Sequence, residues 1–189
     1  MRKSKKNILV GVCGGIAAYK TCELIRLLVE GGFSVKVVMT ESASKFVSAL
    51  VFQTLSRNHA YQDMFSLPES FNPRHIGIAG WADLCVIAPL SANTLSKIAC
   101  GICDNLLTAV ICALPKETKV LLAPAMNENM WVNPVIKKNI QALRKLEKYI
   151  FLTPRKGELA CGVYGTGRLE EPAVIYKKIT ALINAPVKK

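Results

Sequence analysis

The chain has 189 residues, of which 51% are hydrophobic, and a formal net charge of +12. That length suits one domain burying roughly 70% of its unfolded surface, and no apolar run approaches the roughly 20 residues of a membrane span, so residues 1–189 read as a single soluble, cytoplasmic domain. Half of the charge excess sits in the acid-free ends, on Arg2, Lys3, Lys5 and Lys6 (the basic tail, residues 1–6) and on Lys188 and Lys189. Lys137, Lys138, Arg144, Lys145 and Lys148 read as the solvated face of a helix, and neither feature calls for a nucleic-acid partner.

The seven cysteines are an odd number, and Cys13, Cys22, Cys85, Cys100, Cys103 and Cys112 lie in apolar stretches, as small hydrophobes in a reducing compartment do. Cys100 and Cys103 form a Cys-x-x-Cys pair with no second pair or nearby histidine, so no metal site is expected. The basic start before Ile8 to Ala18 imitates a secretory signal. However, Gly11, Gly14 and Gly15 break its apolar run, which reads better as a buried strand and glycine turn.

In chain order, Asn7 to Val12 predicts a strand, Gly14-Gly15 a turn, and Leu24, Leu27 and Leu28 one face of a helix starting near Ile16 and closed by Gly31-Gly32. A second strand runs through Val35, Val37 and Val38 to Met39. Ser42 can cap a helix over Ala43 to Leu55, and Ala60-Tyr61 is a minimal third strand. Leu84 to Ala88 and Val120 to Ala123 read as strands buried on both faces, and Tyr149 to Leu152 closes the series. Asn133-Pro134 starts a helix that carries Val135, Ile136, Ile140, Leu143 and Leu146 inward, and Pro172 to Leu182 is the last helix. The alternation predicts an α/β doubly wound parallel sheet with helices on both faces.

Ligands of such sheets bind beyond the carboxyl ends of the strands, so the turns there carry the functional information. Gly14 and Gly15 allow close backbone approach to a ligand, and the following helix directs free N–H groups at an anion such as a phosphate; a plain tight turn gives the same residues. Thr40, Ser42, Ser91, Ala92, Asn93, Thr94, Asp104 and Asn105 bring donors and caps to the same edge. The turn after Ala123 reads Pro124-Ala125-Met126-Asn127-Glu128-Asn129-Met130-Trp131.

This last segment matches every fixed position of the Pro-x-Met-Asn-x-x-Met-Trp stretch of the homo-oligomeric flavin-containing cysteine decarboxylases. The resemblance extends through Gly14-Gly15-Ile16, His75-Ile76-Gly77-Ile78, Trp81-Ala82-Asp83, Ala160-Cys161-Gly162 and Gly165-x-Gly167-Arg168. It implies a three-layer Rossmann-like flavoprotein fold with six parallel strands, and FMN held at the contacts of a trimer or of a dodecamer built from trimers. It also implies decarboxylation of 4'-phosphopantothenoylcysteine in coenzyme A biosynthesis. Bifunctional relatives continue into a phosphopantothenoylcysteine synthetase domain whereas this sequence stops at Lys189, so the expectation is that it acts alone, partners a separate synthetase, or is a domain cut from a longer chain. By resemblance the FMN contacts are Gly14, Gly15, Ile16, Thr40, Ser42, Phe46, Ser91, Ala92, Asn93, Thr94, Asp104 and Asn105. His75 is the catalytic base, Asn127 the ligand of the substrate carboxylate, and Cys161 the final proton donor. Pro124, Ala125, Met126, Met130 and Trp131 wall the substrate. Val163-Tyr164 departs from the Asp that many relatives carry after the Cys-Gly pair, which bears on the shape of the Cys161 flap.

The chemistry suits these groups. Loss of CO2 from a cysteine leaves a carbanion that the CH2–SH group cannot absorb, so a redox cofactor that first oxidises the thiol-bearing carbon supplies the electron sink. The imidazole of His75 suits it to take a proton as a general base. Three alternatives share parts of this pattern: a flavin prenyltransferase, an oxidative peptidyl-cysteine decarboxylase that stops before proton return, and a regulatory FMN-binding relative without catalysis.

Overall fold

The computed structural model describes residues 5–65, 73–160 and 162–185. Strands β1 (Asn7–Val12), β2 (Ser34–Met39), β3 (Ala60–Tyr61), β4 (Leu84–Leu90), β5 (Lys119–Pro124) and β6 (Tyr149–Phe151) form one parallel sheet in the order β3-β2-β1-β4-β5-β6. The order reverses between β1 and β4, which opens a crevice at their carboxyl ends.

The alternating side chains of β1 build two cores. Ile8, Val10 and Val12 pack with α1 (Ala18–Glu30), α2 (Ala49–Ser56) and α8 (Pro172–Asn184), through Leu24, Ile25, Leu28, Phe52, Ile175 and Ile179. Leu9 packs on the other face with α3 (Arg74–Trp81), α4 (Ala92–Cys100), α5 (Leu106–Ala113) and α7 (Pro134–Arg144). A Cβ on Gly11 would lie 2.7 Å from Leu107 Cδ1, so glycine here lets α5 close onto the sheet. Every residue of β4 is buried, as expected of a central parallel strand covered by helices on both sides.

Several expectations shift. Gly15 to Ala17 form a turn in which Gly15 O accepts from Ala18 N (2.9 Å), so α1 begins two residues later than the pattern indicated. The helix expected from Ala43 is divided into a short 3-10 helix, Glu41–Lys45, and α2. Thr40 rather than Ser42 caps the former, accepting from Ala43 N at 3.3 Å, because buried Ala43 ties the turn to the core. Val135 and Leu146, expected inside, are 63% and 53% exposed; Ile140 and Leu143 alone form the buried stripe of α7. Cys13 and Cys85 are buried, whereas Cys100 and Cys112, near the ends of α4 and α5, and Cys103, in the loop between them, are exposed and do not behave as core hydrophobes.

The sequence pattern also gave no antiparallel element, yet β7 (Arg155–Glu158) and β8 (Tyr164–Arg168) form a hairpin. Its register shifts between Arg155↔Arg168 and Lys156↔Thr166, leaving Gly167 as the extra residue of a bulge. The Gly167 carbonyl turns to accept from Met126 N (3.0 Å), and a Cβ there would lie 2.0 Å from Met126 O. Thr166 N donates to Glu128 Oε1 (2.9 Å), while Gly165 leaves room for the same carboxylate. The two glycines thereby let the hairpin lie against the Met126–Glu128 segment.

Candidate active site

A cavity of about 650 Å³ opens at the β1/β4 switch point, within the range of about 300–1,000 Å³ typical of small-molecule and cofactor sites. Gly14, Gly15 and Ile16 after β1 line one side, with Ala17, Tyr19 and Lys20 from the start of α1. Pro89, Ser91 and Ala92 bring the end of β4, and Ala125, Met126, Asn127 and Met130 the turn after β5. The hairpin closes the remaining side through Glu158, Leu159, Ala160, Gly167, Arg168 and Leu169.

The two glycines have different tasks. A Cβ on Gly14 would sit 2.4 Å from Ser42 Cβ and 2.8 Å from the Ser42 carbonyl carbon, so Gly14 is where the turns after β1 and β2 touch. Nothing lies within 4 Å of a Cβ built on Gly15, which faces open space. Ala17 gives α1 no side-chain cap. A glycine-backed, uncapped helix start lining a mostly apolar cavity fits the phosphate and ring of a flavin mononucleotide.

Ser91 caps α4, accepting from Thr94 N (3.2 Å), and donates to Thr94 Oγ1 (3.3 Å). Thr94 is thus a buried support, and Asn93 is exposed on the first turn of α4. Burial pushes the Cys13 thiol up against the lowering effect of hydrogen bonds to Thr94 and Ser91. Thr40 and Ser42 stand behind Gly14 and do not line the cavity, and Phe46, 51% exposed, ends the 3-10 helix. Asp104 and Asn105 also lie off it. The Asp104 carboxylate accepts from Lys97 Nζ (2.6 Å), the main cause of its lowered pKa, and Asn105 caps α5.

Asn127 caps α6 (Glu128–Val132), its Oδ1 accepting from Asn129 N at 2.8 Å, and so holds a fixed place on the cavity wall. Pro124 ends β5 and is buried behind Ala125. Trp131, expected as a wall, is 7% exposed and belongs to the core beneath, with Lys137 Nζ 4.1 Å from its ring centroid. His75 does not line this cavity. Trp81, at the far end of α3, accepts from Asn7 Nδ2 (2.9 Å) at the amino edge of the sheet, so half-buried His75 stands toward the carboxyl edge on the α3 face. Cys161 lies outside the described residues; Leu159 N donates to Val163 O (2.8 Å).

Sequence reasoning passed over Tyr19, Lys20 and the hairpin residues as wall elements. The signal available was the Gly165-x-Gly167 spacing beside Gly162, whose φ of 79° marks a left-handed turn. Lys20 Nζ donates to Glu171 (3.1 and 3.3 Å), and this ammonium, aided by Arg155 and Arg168, holds the Glu171 carboxyl below its usual value.

The chain is similar to known proteins over most of its length. A bifunctional coenzyme A biosynthesis protein CoaBC of Bacillus subtilis is 47% identical over 174 residues, which make up 92% of this chain and 42% of that protein. The chain thus spans less than half the length of this bifunctional relative. A solved structure of a cysteine-to-serine PPC decarboxylase mutant, complexed with pantothenoylaminoethenethiol, aligns with a TM-score of 0.86 at 35% identity, covering 96% of this chain and 100% of the other. The FMN-binding protein AtHal3 aligns with a TM-score of 0.83 at 35% identity, covering 97% and 100%. The family model described as Flavoprotein matches residues 1–184, and the chain belongs to that family.

Proposed function

We propose that this chain binds FMN and decarboxylates 4'-phosphopantothenoylcysteine to 4'-phosphopantetheine, a step of coenzyme A synthesis. The observation that carries the reading is one cavity walled on one side by the glycine turn and Ser91-Ala92 and on the other by Ala125, Met126, Asn127 and Met130. Similarity to a PPC decarboxylase and to an FMN-binding protein over nearly the whole chain supports substrate and cofactor together.

Bound FMN supplies a reversible two-electron acceptor, which makes the carbon next to the departing carboxylate able to take its electron pair. Asn127 holds the substrate carboxylate through neutral hydrogen bonds. An Arg or Lys there would stabilise the starting anion and hold back CO2. Met126 and Met130 keep water from that end of the site. His75 takes the proton released when the thiol is oxidised, and Cys161 returns a proton to carbon at the end. The complex of a cysteine-to-serine relative with an ethenethiol is what a lost proton donor would leave.

In one chain His75 and Asn127 do not share a cavity wall. The assembly that unites them is a homotrimer, alone or built into a dodecamer, in which one copy lends His75 to the cavity of the next. Among the described residues no helix is long and apolar enough to cross a membrane, in keeping with cytoplasmic coenzyme A synthesis. A phosphopantothenoylcysteine synthetase, separate or joined, supplies the substrate. The reading is tested by incubating FMN-loaded protein with 4'-phosphopantothenoylcysteine: release of CO2 with 4'-phosphopantetheine as product supports it, and unchanged substrate overturns it.

A further inference from the structure

Arg168 stands on the cavity wall at the end of β8, immediately after the bulge residue whose carbonyl accepts from Met126 N. Its side chain runs back along the hairpin: Arg168 pairs in register with Arg155, yet its NH1 would lie 2.9 Å and its Cδ 3.0 Å from a Cβ on Gly157. The missing side chain of Gly157 is what lets the guanidinium lie there.

The neighbouring cations are committed elsewhere. Lys20 pairs with Glu171 at 3.1 Å, and Arg155 pairs with Glu171 and with Glu170, the latter at 3.7 Å. Arg168 makes no ion pair among the described residues and is exposed. An arginine laid against a glycine strand, with Glu171 as an electrostatic neighbour but in no ion pair among the described residues, offers a planar fork of donors suited to a phosphate. The wall carries one carboxylate, Glu158, at the last position of β7, which disfavours a second anion beside it and leaves Arg168 as the anion contact of the hairpin.

Resting on the decarboxylase reading above, we infer that Arg168 binds the 4'-phosphate of the substrate and sets the preference for phosphorylated over unphosphorylated pantothenoylcysteine. A phosphomonoester could come from the substrate or from FMN. The flavin phosphate is served by the glycine turn and the start of α1, whereas Arg168 lies on the hairpin beside the Met126–Asn127 segment. A full positive charge also suits a phosphate better than the departing carboxylate, which Asn127 holds without charge.

The test compares FMN-loaded wild type, Arg168→Gln, Arg168→Lys and Gly157→Ala, measuring CO2 release and calorimetric binding with 4'-phosphopantothenoylcysteine and with pantothenoylcysteine. The preference for the phosphorylated compound should fall at least about tenfold in Arg168→Gln, recover in part in Arg168→Lys, and fall in Gly157→Ala, where the guanidinium is displaced. Equal losses on both compounds, or loss of bound FMN in Arg168→Gln with the preference intact, overturn the inference. If wild type releases no CO2 yet binds the phosphorylated compound more tightly in an Arg168-dependent manner, the decarboxylase reading falls and the phosphate site stands. If wild type releases CO2 without discriminating between the compounds, the phosphate site alone falls.

Discussion

Gly14 and Gly15 are adjacent in one turn, yet replacing each by alanine should produce opposite signatures. At Gly14 the new methyl would lie 2.4 Å from Ser42 Cβ and 2.9 Å from Ser42 O, so the turns after β1 and β2 must separate. Overpacking of this kind costs about 1–3 kcal/mol, and for a chain of this size each kcal/mol moves Tm by about 2–4 °C, so Gly14→Ala should melt about 2–12 °C lower. At Gly15 the methyl meets nothing within 4 Å, and neither glycine has the positive φ that alanine resists. Restricting the unfolded chain then stabilises cofactor-free Gly15→Ala by about 0.4–1 kcal/mol. The same methyl occupies the open cradle, so FMN affinity should fall at least about tenfold, or 1.4 kcal/mol. Thermal unfolding of the flavin-free proteins and titration with FMN followed by fluorescence quenching measure both quantities. Full FMN affinity in Gly15→Ala would refute the placement of the cofactor at this turn, and an unshifted Tm for Gly14→Ala would refute the packing argument.

His75→Asn and Asn127→Ala should each be inactive, but hetero-oligomers co-expressed from equal amounts should regain about a quarter of wild-type activity, the statistical share of sites with both native groups from neighbouring copies. No recovery would show that both groups act within one chain. Cys161→Ser should release CO2 and accumulate the oxidised ethenethiol, detected by mass; undiminished formation of the saturated thiol would remove Cys161 from its assigned step. In native protein, alkylation mapped by mass should mark exposed Cys100 and leave Cys85 unmodified, because burial pushes the Cys85 thiol up to about 12. Equal labelling of both would contradict the packing of β4 against α5.

The parallel sheet was legible because its central strands β1, β4 and β5 are buried on both faces and read as short apolar runs. Asn7–Val12 and Ala60–Tyr61 fall where the pattern placed them, and the ends of the other strands differ by two residues at most. Caps with a side-chain signature were legible too, as at Asn133-Pro134, where Asn133 Oδ1 accepts from Val135 N at 2.9 Å. The start of α1 was not, since Ala17 carries no capping group and the turn is set by the Gly15–Ala18 bond. The hairpin escaped because Arg155–Glu158 is too polar for a core strand and β8 alternates glycine, so neither shows hydrophobic periodicity. Its place depends on contacts with Met126 and Glu128 that only the fold reveals. Asn127, Met126 and the glycine turn, expected at the site from their motifs, line the cavity. Trp131, expected as wall, lies in the core in this chain, and a tryptophan beside a polar turn gives no sign of which face of a five-residue helix it takes.

The most direct test follows the fate of electrons. FMN-loaded protein is incubated with 4'-phosphopantothenoylcysteine under anaerobic conditions, and the product mass is measured. Loss of CO2 alone, with the flavin oxidised again at the end of turnover, is the predicted result. Loss of CO2 together with two hydrogens, or equal turnover by flavin-free protein, would contradict it.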